Sequence, residues 1–115
     1  MFWKDALLVA AGGALGAVTR FAISQAMRTS FPWATTLVNL AGSFALGFFL
    51  LPGDWSHGPR LLLGVGFLGA FTTLSTFSVE TVDLLRTGQQ VRAGTHVAIN
   101  ALGGPLLAWI GWRLA

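Results

Sequence analysis

The sequence contains no cysteine, so neither a disulfide framework nor a thiolate metal site can form. It is also poor in charge: Asp, Glu, Lys and Arg make up 10% of its 115 residues, against 54% hydrophobic ones, and the mean hydropathy is +0.69. Too little polar surface is left to cover a water-soluble globule of this size. Acids are scarcest, with Asp5, Asp54, Glu80 and Asp83 the whole set, so the sequence pI near 11.3 reflects missing carboxylates rather than a basic binding face. No run or stripe of Lys and Arg exists on which a nucleic acid could dock. Parts for enzyme chemistry are missing too. His57 falls in a loop, His96 has no acid close in sequence and reads as an interfacial residue, and the glycine-rich stretches lack the Lys-Ser/Thr tail of a phosphate loop. An enzyme is not expected.

Long uncharged intervals are what the chain has instead. A membrane helix needs roughly 20 mostly apolar residues, and four such stretches occur, at about 6–26, 34–52, 61–83 and 94–113. The segments between them are short and carry Pro, Gly and charge, as turns do. A secretory signal would need a soluble domain after it, and nothing beyond residue 30 supplies one, so the first apolar stretch reads as a span. The expected fold is an all-α membrane protein, a single four-helix domain over 1–115. Four helices hardly enclose a pathway alone, which points to a homo-oligomer, most simply a two-fold dimer.

Even span number puts both termini on one side of the membrane. Lys4, Arg60 and Arg113 then lie on the terminal side, and Arg28, Arg86 and Arg92 on the other. Orientation follows Lys/Arg asymmetry in short loops, so this tie predicts no preferred orientation and, with it, an antiparallel dimer. Charge counting leaves open whether the first helix breaks the tie.

Glycine inside a helix normally costs about 1 kcal/mol relative to Ala, and close packing is the usual compensation. Gly12 with Gly16, Ser43 with Gly47, and Gly66 with Gly69 have the spacing for it. Polar groups at depth are fewer. Arg20 lies near the end of the first span, Asn39 inside the second, Glu80 near the end of the third and Asn100 inside the fourth. Such groups face the protein interior and mark ion paths. Arg20 and Glu80 are close enough to a boundary to serve as anchors instead. Asn39, flanked by Leu37, Val38, Leu40 and Ala41, must bond across a helix interface or into a pore.

The stretch from Gly66 to Glu80 is the most informative. It sets five hydroxyls, Thr72, Thr73, Ser75, Thr76 and Ser78, just after two glycines. Hydroxyls that bond back to helix carbonyls bend or loosen a helix, so a break is expected in the middle of the third span. Irregular backbone at membrane depth is tolerated only where it is buried in protein or lines an aqueous cavity. Its free carbonyls can hold a small cation, and its free N–H groups favour an anion. The hydroxyls, the Asn39 amide and the positive ring edge of Phe77 tip the choice toward a small anion, since no carboxylate lies at mid-span.

Three segments together resemble the Fluc/CrcB family of fluoride channels: Gly12 to Phe21 (GGALGAVTRF), Thr35 to Gly47 (TTLVNLAGSFALG) and Gly66 to Glu80 (GFLGAFTTLSTFSVE). The specific element is Asn-x-x-Gly-Ser at Asn39 followed by the hydroxyl-rich third helix. The resemblance implies passive, fluoride-selective export that lowers cytoplasmic fluoride, by a multi-pass protein of the cell (inner) membrane. It also implies an antiparallel, dual-topology dimer with two pores and a structural sodium ion on the dimer axis. Sodium in that family is held by main-chain carbonyls that map onto Gly69 and Thr72. Asn39, Phe77, Thr73, Ser75, Thr76 and Ser78 map onto the pore, and Arg20 and Glu80 onto supporting polar positions. One departure stands out: the family's Thr-Thr-Phe-Ser-Thr-Phe-Ser has Leu74 in place of its first Phe. A heterodimer with a paralogous subunit that supplies the missing ring therefore stays open beside the homodimer. The alternative from another class is a small multidrug-resistance-type proton-coupled exporter, which needs a membrane-embedded carboxylate in its first helix; residues 6–26 contain none.

Overall fold

Glycine, alanine and leucine dominate the long uncharged stretches, and in a medium without water only a helix satisfies every backbone group within its own segment. The computed structural model, which describes residues 1–115, is accordingly all-helical. Helix α1 covers Phe2–Ala26 and α2 covers Trp33–Phe49. Helix α3 runs over residues 57–71: a turn at His57–Pro59, a π-helical stretch over Arg60–Leu68 and a last turn at Gly69–Phe71. Thr72 and Thr73 are extended (ψ 158° and 120°), after which α4 covers Leu74–Arg86. Helix α5, Gln90–Leu114, completes the chain.

The ends of these helices have local causes. Pro52 and a positive-φ Gly53 follow α2, which stops at Phe49 rather than reaching residue 52. Helix α4 ends in a Schellman motif: Gly88 takes a left-handed φ of 77°, Gln89 N–H donates to the Leu84 carbonyl and Gly88 N–H to that of Leu85. A three-residue turn thus carries the chain from α4 straight into α5.

Two helix pairs make up the bundle, α1 against α3 and α2 against α5, with α4 lying on α5. Glycine permits both pairings. A Cβ at Gly12 would overlap the Leu62 carbonyl oxygen, and one at Gly16 the Phe67 carbonyl. In the second pair Gly47 faces the Ala108 carbonyl and Gly111 the Phe44 carbonyl with equally little room. Gly69 does not belong with them. An added Cβ there would come no nearer than 3.8 Å to anything, so the packing role expected for it is not what holds that position.

Only 16 of 115 residues are buried, while Leu7, Leu15, Val18, Phe21, Leu102 and Leu106 face outward. That distribution suits an apolar surrounding, not water. Two helical runs are long and apolar enough to cross a membrane, Phe2–Ala26 and, counted across the break, His57–Arg86.

Candidate functional site

The break at Thr72 and Thr73 interrupts four successive helical hydrogen bonds, so its freed groups need other partners. Asn39 supplies two. Its Oδ1 accepts the Thr73 N–H at 2.8 Å while its Nδ2 donates to the Thr73 carbonyl at 3.1 Å, so one amide side chain stands in for a strand of backbone. Gly42, one helical turn on, makes this approach possible, because any Cβ there would collide with the Thr72 methyl group. The Asn-x-x-Gly spacing is therefore a docking device for the break.

Two more partners take up part of what remains. Thr73 caps α4, its hydroxyl accepting the Thr76 N–H at 3.1 Å. Arg20 Nε donates to the Ala70 carbonyl at 3.1 Å, closing the end of α3. Arg20 is thus turned inward onto the broken helix and does not snorkel. One consequence concerns the carbonyls. Thr73 N–H would bond the Gly69 carbonyl in an unbroken helix, and Thr76 N–H that of Thr72; both donors are diverted, which releases the Gly69 and Thr72 oxygens from their helical partners.

From Asn39 a polar network spreads into α5. Its Nδ2 also donates to Asn100 Oδ1 at 2.9 Å, and Asn100 Nδ2 reaches the His96 carbonyl at 2.9 Å and Thr36 Oγ1 at 3.4 Å. Further along, Thr35 Oγ1 donates to Glu80 Oε2 at 3.0 Å, and His96 Nε2 lies 3.3 Å from Glu80 Oε1. Glu80 is therefore held by two helices. His96 is fully buried between Phe31 and Phe77, with ring centroids at 5.6 and 5.0 Å, which corrects its reading as an interfacial residue without an acid partner.

Two cavities flank the break and share Thr73. A groove of about 480 Å³ is lined by Asn39, Ser43, Thr73, Leu74, Phe77 and Asn100, among others. Pro105, which also lines it, leaves the Ala101 carbonyl without its helical donor. On the other side a vestibule of about 520 Å³ has Arg20, Arg28, Thr35, Thr76 and Glu80 in its wall. The sequence-derived set divides accordingly: Asn39, Thr73 and Phe77 border the groove, and Arg20, Thr73, Thr76 and Glu80 the vestibule. Ser75 and Ser78 are not brought to either cavity within one chain. They lie on the exposed face of α4, Ser78 bonding back to the Leu74 carbonyl at 2.8 Å and Ser75 3.5 Å from the Thr73 hydroxyl. Thr35 and Thr36 escaped the sequence reading as site residues, and Ser43 entered it only as a packing partner and motif residue, although each stands three or four residues from Asn39 and so on its helix face.

A family model described as CrcB-like protein, Camphor Resistance (CrcB), matches residues 7–112. The chain belongs to the CrcB family. It is similar to the fluoride-specific ion channel FluC of Shewanella amazonensis, 44% identical over 118 residues that cover 96% of this chain and 95% of the relative. FluC 2 of Bacillus cereus is 46% identical over 114 residues, with 96% of each chain covered. FluC of Idiomarina loihiensis is 50% identical over 101 residues, 82% of this chain and 78% of its own. In CrcB terms, the matched region holds both glycine-packed helix pairs, the break and the Asn39 network.

Proposed function

We propose that this chain is a fluoride-selective ion channel of the cell (inner) membrane that lets fluoride leave the cytoplasm passively; its relatives are named fluoride-specific ion channels. The observation that carries the reading is the break itself: Asn39, Thr73 and Phe77 border a groove at a point where the backbone is opened and held open by side chains. Fluoride is strongly hydrated, so dehydrating it takes several donors in succession, none of which binds too tightly for release. The Asn39 amide, the hydroxyls of Thr73, Thr76, Ser75 and Ser78, and the ring edge of Phe77 are such a track. The proton-coupled exporter is disfavoured by the lack of any carboxylate in the middle of α1.

A dual-topology, antiparallel dimer fits the balanced Lys/Arg count and the open side of the groove. Leu74 is 76% exposed, and Ser75, Ser78, Val79 and Val82 are exposed beside it. A second subunit over this face would cover the apolar residues and bring the two serines to an ion path. The Gly69 and Thr72 carbonyls, released from their helical partners, fit a hard cation, and a structural sodium ion held there from both subunits would satisfy oxygens costly to leave bare in lipid. Sodium in that position neutralises part of the backbone dipole around the break and is not itself transported.

Efflux from liposomes that contain only this chain tests the reading. Fluoride should leave and chloride should not. Equal rates for the two anions, or fluoride efflux no faster than from empty liposomes, would reject it. The same preparation decides between homodimer and heterodimer, since conduction by this chain alone needs no paralogous subunit.

A further inference from the structure

His96 is the one ionisable side chain that the fold buries completely, and the conduction path as described gives it no task. Its Nε2 and the Glu80 Oε1 that faces it at 3.3 Å are both buried without a hydrogen-bond partner, while the other ends of the two side chains are engaged. Nδ1 sits 3.2 Å from the Asn100 amide nitrogen, and Glu80 Oε2 accepts from Thr35. With a neutral ring, whose Nε2–H faces Glu80 because Nδ1 lies against the Asn100 amide donor, the pair carries one negative charge; with one more proton on the ring it carries none.

The surroundings do not neutralise that charge by direct pairing. On α4, Asp83 is paired with Arg86 at 2.6 Å. From α1 and the turn after it, Arg20 is bound to the Ala70 carbonyl and Arg28 to Gln25, and neither bridges to Glu80. Helix α2 presents Thr35, Thr36 and Asn39, none charged, and the ionisable groups of α3, His57 and Arg60, lie at the end away from the break, His57 against Asp5. On α5 the nearest is Arg92, exposed and donating to Ser30 at 3.0 Å. Glu80 meanwhile borders the vestibule that leads to Thr73. An anion entering there meets a carboxylate.

We propose that His96 and Glu80 form a proton-binding site in the wall of the anion path, and that fluoride conducts fastest when the site is loaded. The proposal rests on the fluoride-channel reading. Loading removes the like charge an entering fluoride would meet within several ångströms, and at an effective dielectric near 20 such a charge changes anion occupancy by about tenfold or more. Flux is then greatest when the solution is acidic.

Fluoride efflux from liposomes holding the full-length chain, measured between about pH 5 and pH 8 with the flux of empty liposomes subtracted, is the test. Wild-type flux should rise about tenfold toward acid. His96→Asn should flatten the profile at the lower level and Glu80→Gln at the higher one, while His57→Asn, which alters the only other histidine, should keep the rise. A flat wild-type profile overturns the proposal without recourse to any variant, and so does a His96→Asn protein that retains the wild-type rise. Absence of fluoride flux at every pH would instead sink the fluoride-channel reading on which the site depends.

Discussion

The glycine seams and the broken helix are built on opposite rules. Along α1 against α3 and α2 against α5, backbones touch because side chains have been removed, and the contacts at Gly12, Gly16, Gly47 and Gly111 are carbonyl oxygens of the facing helix. At Thr72 and Thr73 the backbone comes apart, and side chains from two helices, Arg20 and Asn39, together with Thr73 itself, take up groups it leaves. Rigid seams let a membrane protein hold an open backbone in place. Without them the cost of each unsatisfied group would close the break or unfold it.

The largest expected effect lies in the seams. Gly12→Ala places a methyl group inside the Leu62 carbonyl, a backbone atom that cannot step aside, so a loss of more than about 3 kcal/mol is expected, seen as failure to recover folded protein after detergent extraction. Next comes sodium. If it occupies the break at about 100 times its dissociation constant, its replacement by a large organic cation should cost about 2.7 kcal/mol and lower the melting temperature of the protein; an unchanged melting curve removes the sodium site. Smaller again is the ring: Phe77→Ile keeps the bulk at the groove but loses the polarised edge, worth about 1 kcal/mol and hence a severalfold drop in fluoride flux. Leu74→Phe should leave flux equal or higher by the same reasoning, and a drop would show that this exposed position tolerates no second ring. Smallest is Gly69→Ala. Its Cβ meets nothing close and its φ of −62° is ordinary for a helix, so stability should stay within about 0.5 kcal/mol of wild type. A large loss there would place Gly69 back among the seams.

How far these regions could be read from sequence differs for a physical reason. Small-xxx-small spacing is local, so the seams at Gly12, Gly16 and Gly47 are visible in a single stretch of chain, and a cluster of hydroxyls after two glycines is equally local. Gly69, three residues after Gly66, lacks the contact: a Cβ there would meet nothing nearer than 3.8 Å. Partnerships are not local. Asn39 stands on α2 and Thr73 in the break, far apart in sequence, and nothing in their own stretches says that one amide covers both backbone groups of the other. His96 was passed over for the same reason: its acid, Glu80, lies across the turn between α4 and α5, brought within 3.3 Å by the Gly88 cap. Thr35 and Thr36 are common enough in membrane helices to look like packing until Glu80 and Asn100 are found against them.

The central claim is that the break held open by Asn39 is the path of fluoride, and Asn39→Asp tests it most directly. Aspartate keeps the size of the side chain but turns its donor into a second acceptor, opposing the Thr73 carbonyl and setting a negative charge beside the passing anion. At an effective dielectric near 20, two like charges about 4 Å apart repel by roughly 4 kcal/mol. Fluoride efflux from liposomes, with dimer content checked, should therefore fall by at least about a hundredfold. A folded, dimeric Asn39→Asp protein that conducts fluoride at the wild-type rate would contradict the account.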